Sequence, residues 1–149
     1  MKKLLPFMFL IALLGCKKND PAPVPVHPVD TFNVTGNYKI QSNKIETYNS
    51  SNTLTGTENV TPTDDVLTIM SDKYEVYSPS GRFAKQTASF SVAFKDNAYH
   101  AYFGTIPTDR TIMNNVSDAL ITKPSATTIV IVSTYGTPKK VQTITFVNP

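Results

Sequence analysis

Gln86-Thr87-Ala88-Ser89-Phe90-Ser91-Val92-Ala93-Phe94-Lys95 is the stretch that decides the fold. Ala88, Phe90, Val92 and Phe94 point one way in an extended chain, and Thr87, Ser89, Ser91 and Lys95 point the other. That alternation predicts a β-strand with one buried face. Asp96-Asn97 follows, and both residue types tolerate a positive φ, so a two-residue turn is predicted there. The return strand, 98–104, places Tyr99, Ala101 and Phe103 inward and His100 and Tyr102 outward.

The same grammar extends in both directions. Val66–Met70 and Lys73–Ser78 flank a Ser71-Asp72 turn, with Tyr74 and Val76 inward. Pro79-Ser80-Gly81 breaks the chain. Thr127–Tyr135 contains Ile129-Val130-Ile131-Val132, apolar on both faces, which predicts a central strand covered on both sides. Gly136-Thr137-Pro138 turns the chain, and Val141–Val147 returns with Ile144 and Phe146 inward. Near the start, a strand from Gly36 carries Tyr38 and Ile40 toward the core. Helical spacing is weak throughout, with one short helical turn expected near Asn115–Ala119. Eight to ten short strands, separated by turn signals, predict an all-β antiparallel fold. An up-and-down barrel is the first expectation and a β-sandwich the alternative.

Composition narrows the function classes. The 149 residues carry a formal charge of +3, but Lys2, Lys3, Lys17 and Lys18 precede the β-rich part. Residues 31–149 hold ten Lys plus Arg and nine Asp plus Glu. A net of +1 supplies no basic field for nucleic acid.

The one cysteine, Cys16, is explained by its position. Lys2 and Lys3 precede an apolar run, Leu4–Leu14, too short for a bilayer span of roughly 20 residues but suited to a signal segment. Leu13-Leu14-Gly15-Cys16 then resembles the lipobox of bacterial lipoproteins. The resemblance implies cleavage before Cys16 and lipidation of its thiol. Residues 1–15 are thus expected to be a signal peptide and 16–30 a lipidated tether. Residues 31–149 form one domain. Lys17 stands where Asp would retain such a protein at the inner membrane, so the resemblance implies a cell-envelope location at the outer membrane. Pro21-Ala22-Pro23-Val24-Pro25-Val26-His27-Pro28 favours an extended polyproline spacer at about 3.1 Å per residue, reaching about 40 Å from the membrane. His27 lies in this spacer and is given no catalytic role.

Thr35-Gly36-Asn37-Tyr38-Lys39-Ile40 resembles the opening of lipocalin-like domains, whose first strand carries Gly-x-Trp. Tyr38 stands in the Trp position. The ending is also similar, with a strand over Thr127–Ser133, a turn, and a last strand closing in Thr-Ile-Thr-Phe-Val. The resemblance covers about 36–147 and implies an eight-stranded barrel able to hold a small ligand.

Candidate chemistry is sparse. No Gly-x-Ser-x-Gly elbow is present, and one domain histidine, His100, with no partner fixed by spacing reads as a solvent-facing strand residue. Metal binding needs several His, Cys or acidic ligands, so no metal and no cofactor are expected. Asp64-Asp65 reads as a pair of solvated loop acids. The aromatic set Tyr38, Phe90, Phe94, Tyr99, Phe103 and Phe146 shares a face and is the candidate ligand pocket. The expectation is a monomeric, non-enzymatic protein anchored to the membrane through Cys16. It binds a small hydrophobic or amphipathic ligand in its barrel. The alternative is a filled-core module that meets an envelope protein or glycan.

Overall fold

The computed structural model describes residues 32–106, 113 and 116–149. The signal segment, Cys16, the tether with His27, and Asn115 of the expected helical turn lie outside them.

Nine strands make up the described chain. They are β1 (Gly36–Tyr48), β2 (Leu54–Val60), β3 (Val66–Ile69), β4 (Lys73–Tyr77), β5 (Gln86–Lys95), β6 (Ala98–Phe103), β7 (Asp118–Ser125), β8 (Thr128–Tyr135) and β9 (Lys139–Val147). All pairings are antiparallel, in the order β2-β1-β3-β4-β5-β6-β7-β8-β9. A further pairing of β1 with β9, from Lys39↔Val147 to Tyr48↔Lys139, closes the ring. The result is an eight-stranded antiparallel barrel with β2 as an additional strand beside the second half of β1. Closure is what separates this from the sandwich alternative, since it removes the open edges of the eight ring strands.

The alternation read from sequence sets the register. Asp96 and Asn97 both take positive φ, 52° and 60°, in the β5–β6 turn, as a two-residue hairpin requires. Gly36 has φ 153°, and a Cβ there would lie 3.3 Å from the Tyr38 ring. Glycine therefore lets the chain turn into β1 with Tyr38 folded against it. Inside, Leu67, Tyr74, Val76, Ala101, Ile121, Ile129, Ile144 and Phe146 have no accessible surface. A void the size of water would expose its walls, so the lumen is filled around these side chains.

Three expectations are corrected. The expected helical turn is absent from its described part, since Asp118 and Ala119 begin β7. Val130 and Val132 on the outer face of β8 are half-buried rather than covered, because one barrel wall has solvent on its far side. Asp65 is buried rather than solvated. Arg82 Nη2 donates to Asp65 Oδ1, while Asp64 accepts from Ser78 Oγ at 2.9 Å, Ser80 N at 2.6 Å and Arg82 Nε at 3.4 Å. The pair ties the loop after β4 back to the start of β3.

The two ends of the barrel differ. At one end, here the arm end, lie residues 32–35, the tight turns 70–72, 96–97 and 126–127, and the C-terminus. At the loop end lie the longer connections 49–53 and 78–85, residues 104–106 and 116–117, and the turn 136–138.

Candidate functional site

Strand stagger opens a gap at the arm end. β4 begins at Lys73, opposite Ser89 of β5. β5 runs on to Lys95, paired on its other side with β6. Residues 91–95 therefore project beyond β4, and among the described residues no strand lies along that edge. A closed barrel with tilted strands produces such staggers.

The arm, Phe32–Thr35, crosses this mouth. Val34 is 3% exposed and joins the core, and Tyr38 Oη donates to the Val34 carbonyl at 3.0 Å. Burial raises the Tyr38 pKa above its ordinary value, so the phenol stays a donor. Lys123 Nζ of β7 donates to the Asn33 carbonyl at 2.7 Å. Asn33 Oδ1 accepts from Thr35 N at 2.8 Å and Thr35 Oγ1 at 2.7 Å. The Phe32 ring stacks on Tyr99 at 3.7 Å between centroids and 9° between planes.

Between arm and barrel lies a cleft of about 380 Å³, lined by Phe32, Asn33, Val34, Thr35, Met70, Ser71, Phe90 and Val92. Phe90 and Val92 are floor residues from β5. Phe90 N donates to the Asp72 carbonyl at 2.9 Å, which fixes the β3–β4 turn against this floor. An apolar floor with a few polar groups at the edge suits a small apolar or amphipathic molecule.

The six aromatic candidates divide accordingly. Tyr38, Phe90, Phe103 and Phe146 are 1%, 6%, 4% and 0% exposed and fill the lumen. Phe103 lies 5.1 Å from Phe90 and 5.2 Å from Tyr74. Tyr74 Oη donates to the Gly104 carbonyl at 2.8 Å, and burial pushes its pKa up to about 12. Phe94 and Tyr99 are half-buried at the arm end, 5.0 Å apart in an edge contact. Only Phe90 of the six touches the cleft. Sequence reasoning missed Phe32, Val34 and Met70. Phe32 and Val34 alternate just ahead of Gly36, a signal that was available but that adjoined the tether.

Two other concavities lie away from the arm. One of about 520 Å³ at the loop end is lined by Asn49, Ser50, Asn52, Gly136, Thr137, Pro138 and Lys139. There Lys139 Nζ donates to Asn52 Oδ1 at 2.9 Å and lies 5.3 Å from the centre of the Tyr48 ring. The other, about 550 Å³ on the outer wall, includes the Lys85–Glu75 ion pair at 2.7 Å.

His100 does have a partner: its Nδ1 lies 3.3 Å from Asp118 Oδ1 across the outer wall. No nucleophile completes a catalytic set there among the contacts described. Among the described residues, no group of three His, Cys, Asp or Glu side chains could hold a metal, and no helix is long and apolar enough to cross a membrane. No protein-family model matches the chain, and neither a curated protein nor a solved structure shows significant similarity to it.

Proposed function

We propose that this is a lipid-anchored, non-enzymatic binding protein of the bacterial cell envelope that takes a small apolar or amphipathic molecule at the mouth of its barrel. The observation that carries the reading is the cleft between the arm and β5, with Phe90 and Val92 as its floor. The lumen is filled, so the binding surface moves from the interior to this end. The anchor rests on the lipobox-like Leu13-Leu14-Gly15-Cys16. The described chain starts at the arm end, so a lipid on Cys16 would hold the cleft within about 40 Å of the membrane.

Native mass spectrometry of the extracted protein tests this. The expected spectrum contains a bound species that Val92→Trp, which fills the floor, removes while the fold is retained. A ligand-free spectrum for the parent, or equal binding in Val92→Trp, would refute the cleft. A second reading has an observation of its own. The loop-end concavity presents Asn49, Ser50, Asn52 and Lys139 at the end opposite the arm, which suits a protein or glycan partner.

A further inference from the structure

We propose that the pocket on the outer wall of β3 and β4 is a saccharide site that takes one neutral pyranose ring. The loop after β4 builds it. Arg82 bonds Asp65, which is 1% exposed, and Ser80 N donates to Asp64, so this loop is pinned back toward the start of β3. Val66 faces outward in register with Tyr77 and is nevertheless 7% exposed, so the wall is covered there. The Arg82 guanidinium also lies 5.6 Å from the centre of the Phe83 ring, so the ion pair that holds the loop orients this ring. Between wall and loop lies a space of about 550 Å³, within the roughly 300–1,000 Å³ of small-molecule sites. A loop already fixed does not have to be ordered when a ligand arrives.

The lining chemistry selects the ligand class. Asn37, Thr68 and Glu75 stand in one row across β1, β3 and β4, and Tyr77 follows Glu75 on the same face. Thr68 Oγ1 donates to Asn37 Oδ1 at 2.7 Å. Lys85 Nζ donates to Glu75 Oε2 at 2.7 Å, and that bond holds the Glu75 carboxyl below its ordinary range, so Glu75 is an acceptor. Among the described residues, no protein group bonds the Asn37 amide nitrogen, Glu75 Oε1 or the Tyr77 hydroxyl. The pocket therefore offers donors from Asn37 and Lys85 and acceptors from Thr68 and Glu75, while Tyr77 and Phe83 add ring surface. Its two lining charges are paired with each other, so an anion would meet Glu75 and a cation would meet Lys85. A purely apolar molecule would strip water from Asn37, Thr68 and Glu75 without replacing the hydrogen bonds. A pyranose satisfies both demands, because its hydroxyls donate and accept while its C–H faces pack against aromatic rings. The site shares no lining residue with the cleft at the arm end, and it rests neither on that cleft nor on lipidation of Cys16.

Saturation-transfer NMR on the full chain, in a detergent without a sugar headgroup, tests the proposal. The probes are the methyl pyranosides of glucose, galactose, mannose and N-acetylglucosamine, with methyl glucuronide as the charged comparison. At least one neutral glycoside is expected to receive saturation, and more strongly than the glucuronide. Asn37→Ala removes a donor from an exposed position, and Phe83→Leu removes the ring while keeping an apolar side chain. Each should lower the signal about fivefold or more while the thermal midpoint holds. Val92→Trp in the arm-end cleft and Lys139→Ala in the loop-end concavity should leave it unchanged. Silence from all four neutral glycosides, stronger transfer to the glucuronide, or a signal indifferent to both Asn37→Ala and Phe83→Leu would each overturn the proposal. Loss of the signal in Val92→Trp or Lys139→Ala would overturn it too, by moving the sugar to another site.

Discussion

Replacing Phe146 by alanine tests the filled lumen directly. Phe146 has no accessible surface, and its register partners on both sides are Ile129 of β8 and Ile40 of β1, themselves 0% and 8% exposed. Loss of a buried phenyl costs about 3–5 kcal/mol, the larger values arising where the walls cannot close on the cavity. Here the walls are strands of a closed ring on either side, so the upper half of that range, about 4–5 kcal/mol, is expected. Phe94 is half-buried on the part of β5 that projects past β4, and Phe94→Ala should cost about 1–2 kcal/mol from its smaller buried area. Ser89→Ala and Ser91→Ala, on the exposed face, should stay within about 0.5 kcal/mol. Denaturant titration of the four variants measures these differences. The order Phe146 > Phe94 > Ser is the expectation, against a total of about 5–15 kcal/mol for a domain of this size. A Phe146→Ala loss below that of Phe94→Ala would mean that the lumen is loosely packed. A serine loss exceeding either would place β5 one residue out of register.

Four further outcomes are expected, two from the geometry of the barrel and two from the reading of the N-terminal segment. Gly104→Ala should destabilise by about 1–3 kcal/mol in thermal melts, because the new Cβ would lie 2.5 Å from Ser89 Oγ and 3.0 Å from Ser89 N, and Ser89→Ala should restore only part of it, since the backbone contact remains. Asp64 is partly desolvated, which works upward on its pKa, yet bonds from Ser80, Ser78 and Arg82 hold it at about 2 against an ordinary 3.8; its contribution to stability is therefore present above pH 4 and lost as pH falls toward 2, and Asp64→Asn should flatten the melting temperature over that window. Cys16→Ser should abolish incorporation of a labelled fatty acid in cells, and equal labelling of mutant and parent would refute the anchor. Deleting residues 16–30 should leave the melting temperature nearly unchanged, whereas a large fall would mean that the spacer packs on the barrel.

Legibility in the sequence followed burial on one face. β4 to β6 and β9 were readable because one face of each packs on the lumen while the other is wetter, so apolar residues recur at every second position, whereas β3 and β8 were readable as short apolar runs bounded by turn residues. β2 carries no such pattern, since Leu54 to Asn59 are exposed on both faces. In β7, Ala119 and Ile121 face inward, but Leu120 stands exposed between them. Lys123-Pro124 then falls where the register shifts between Thr122 and Ser125, a bulge that accommodates proline and interrupts the alternation. The buried state of Asp65 was hidden for a different reason. Its counter-charge, Arg82, is 17 residues away and arrives only when the loop after β4 folds back. The aromatic face was read as a unit, yet stagger divides it. Phe103 and Phe146 fall within the closed part of the ring, and Phe94 and Tyr99 fall on the projecting hairpin.

That division bears on where such a barrel can bind anything. Eight strands enclose an interior that side chains can just fill, and this chain places Tyr38, Tyr74, Phe90, Phe103 and Phe146 there with isoleucines between them. A ligand entering the lumen would have to displace packed aromatic rings, each worth several kcal/mol of burial. The ends carry no such cost. At the arm end, the stagger of β4 against β5 leaves an apolar floor without a strand to cover it, and the arm covers it incompletely. Its hold there consists of the Phe32–Tyr99 stack, the Val34 plug and single hydrogen bonds from Lys123 and Tyr38. The surface available for a small apolar molecule is thus set by strand stagger, and the arm that borders it is the segment through which a membrane tether would join the barrel.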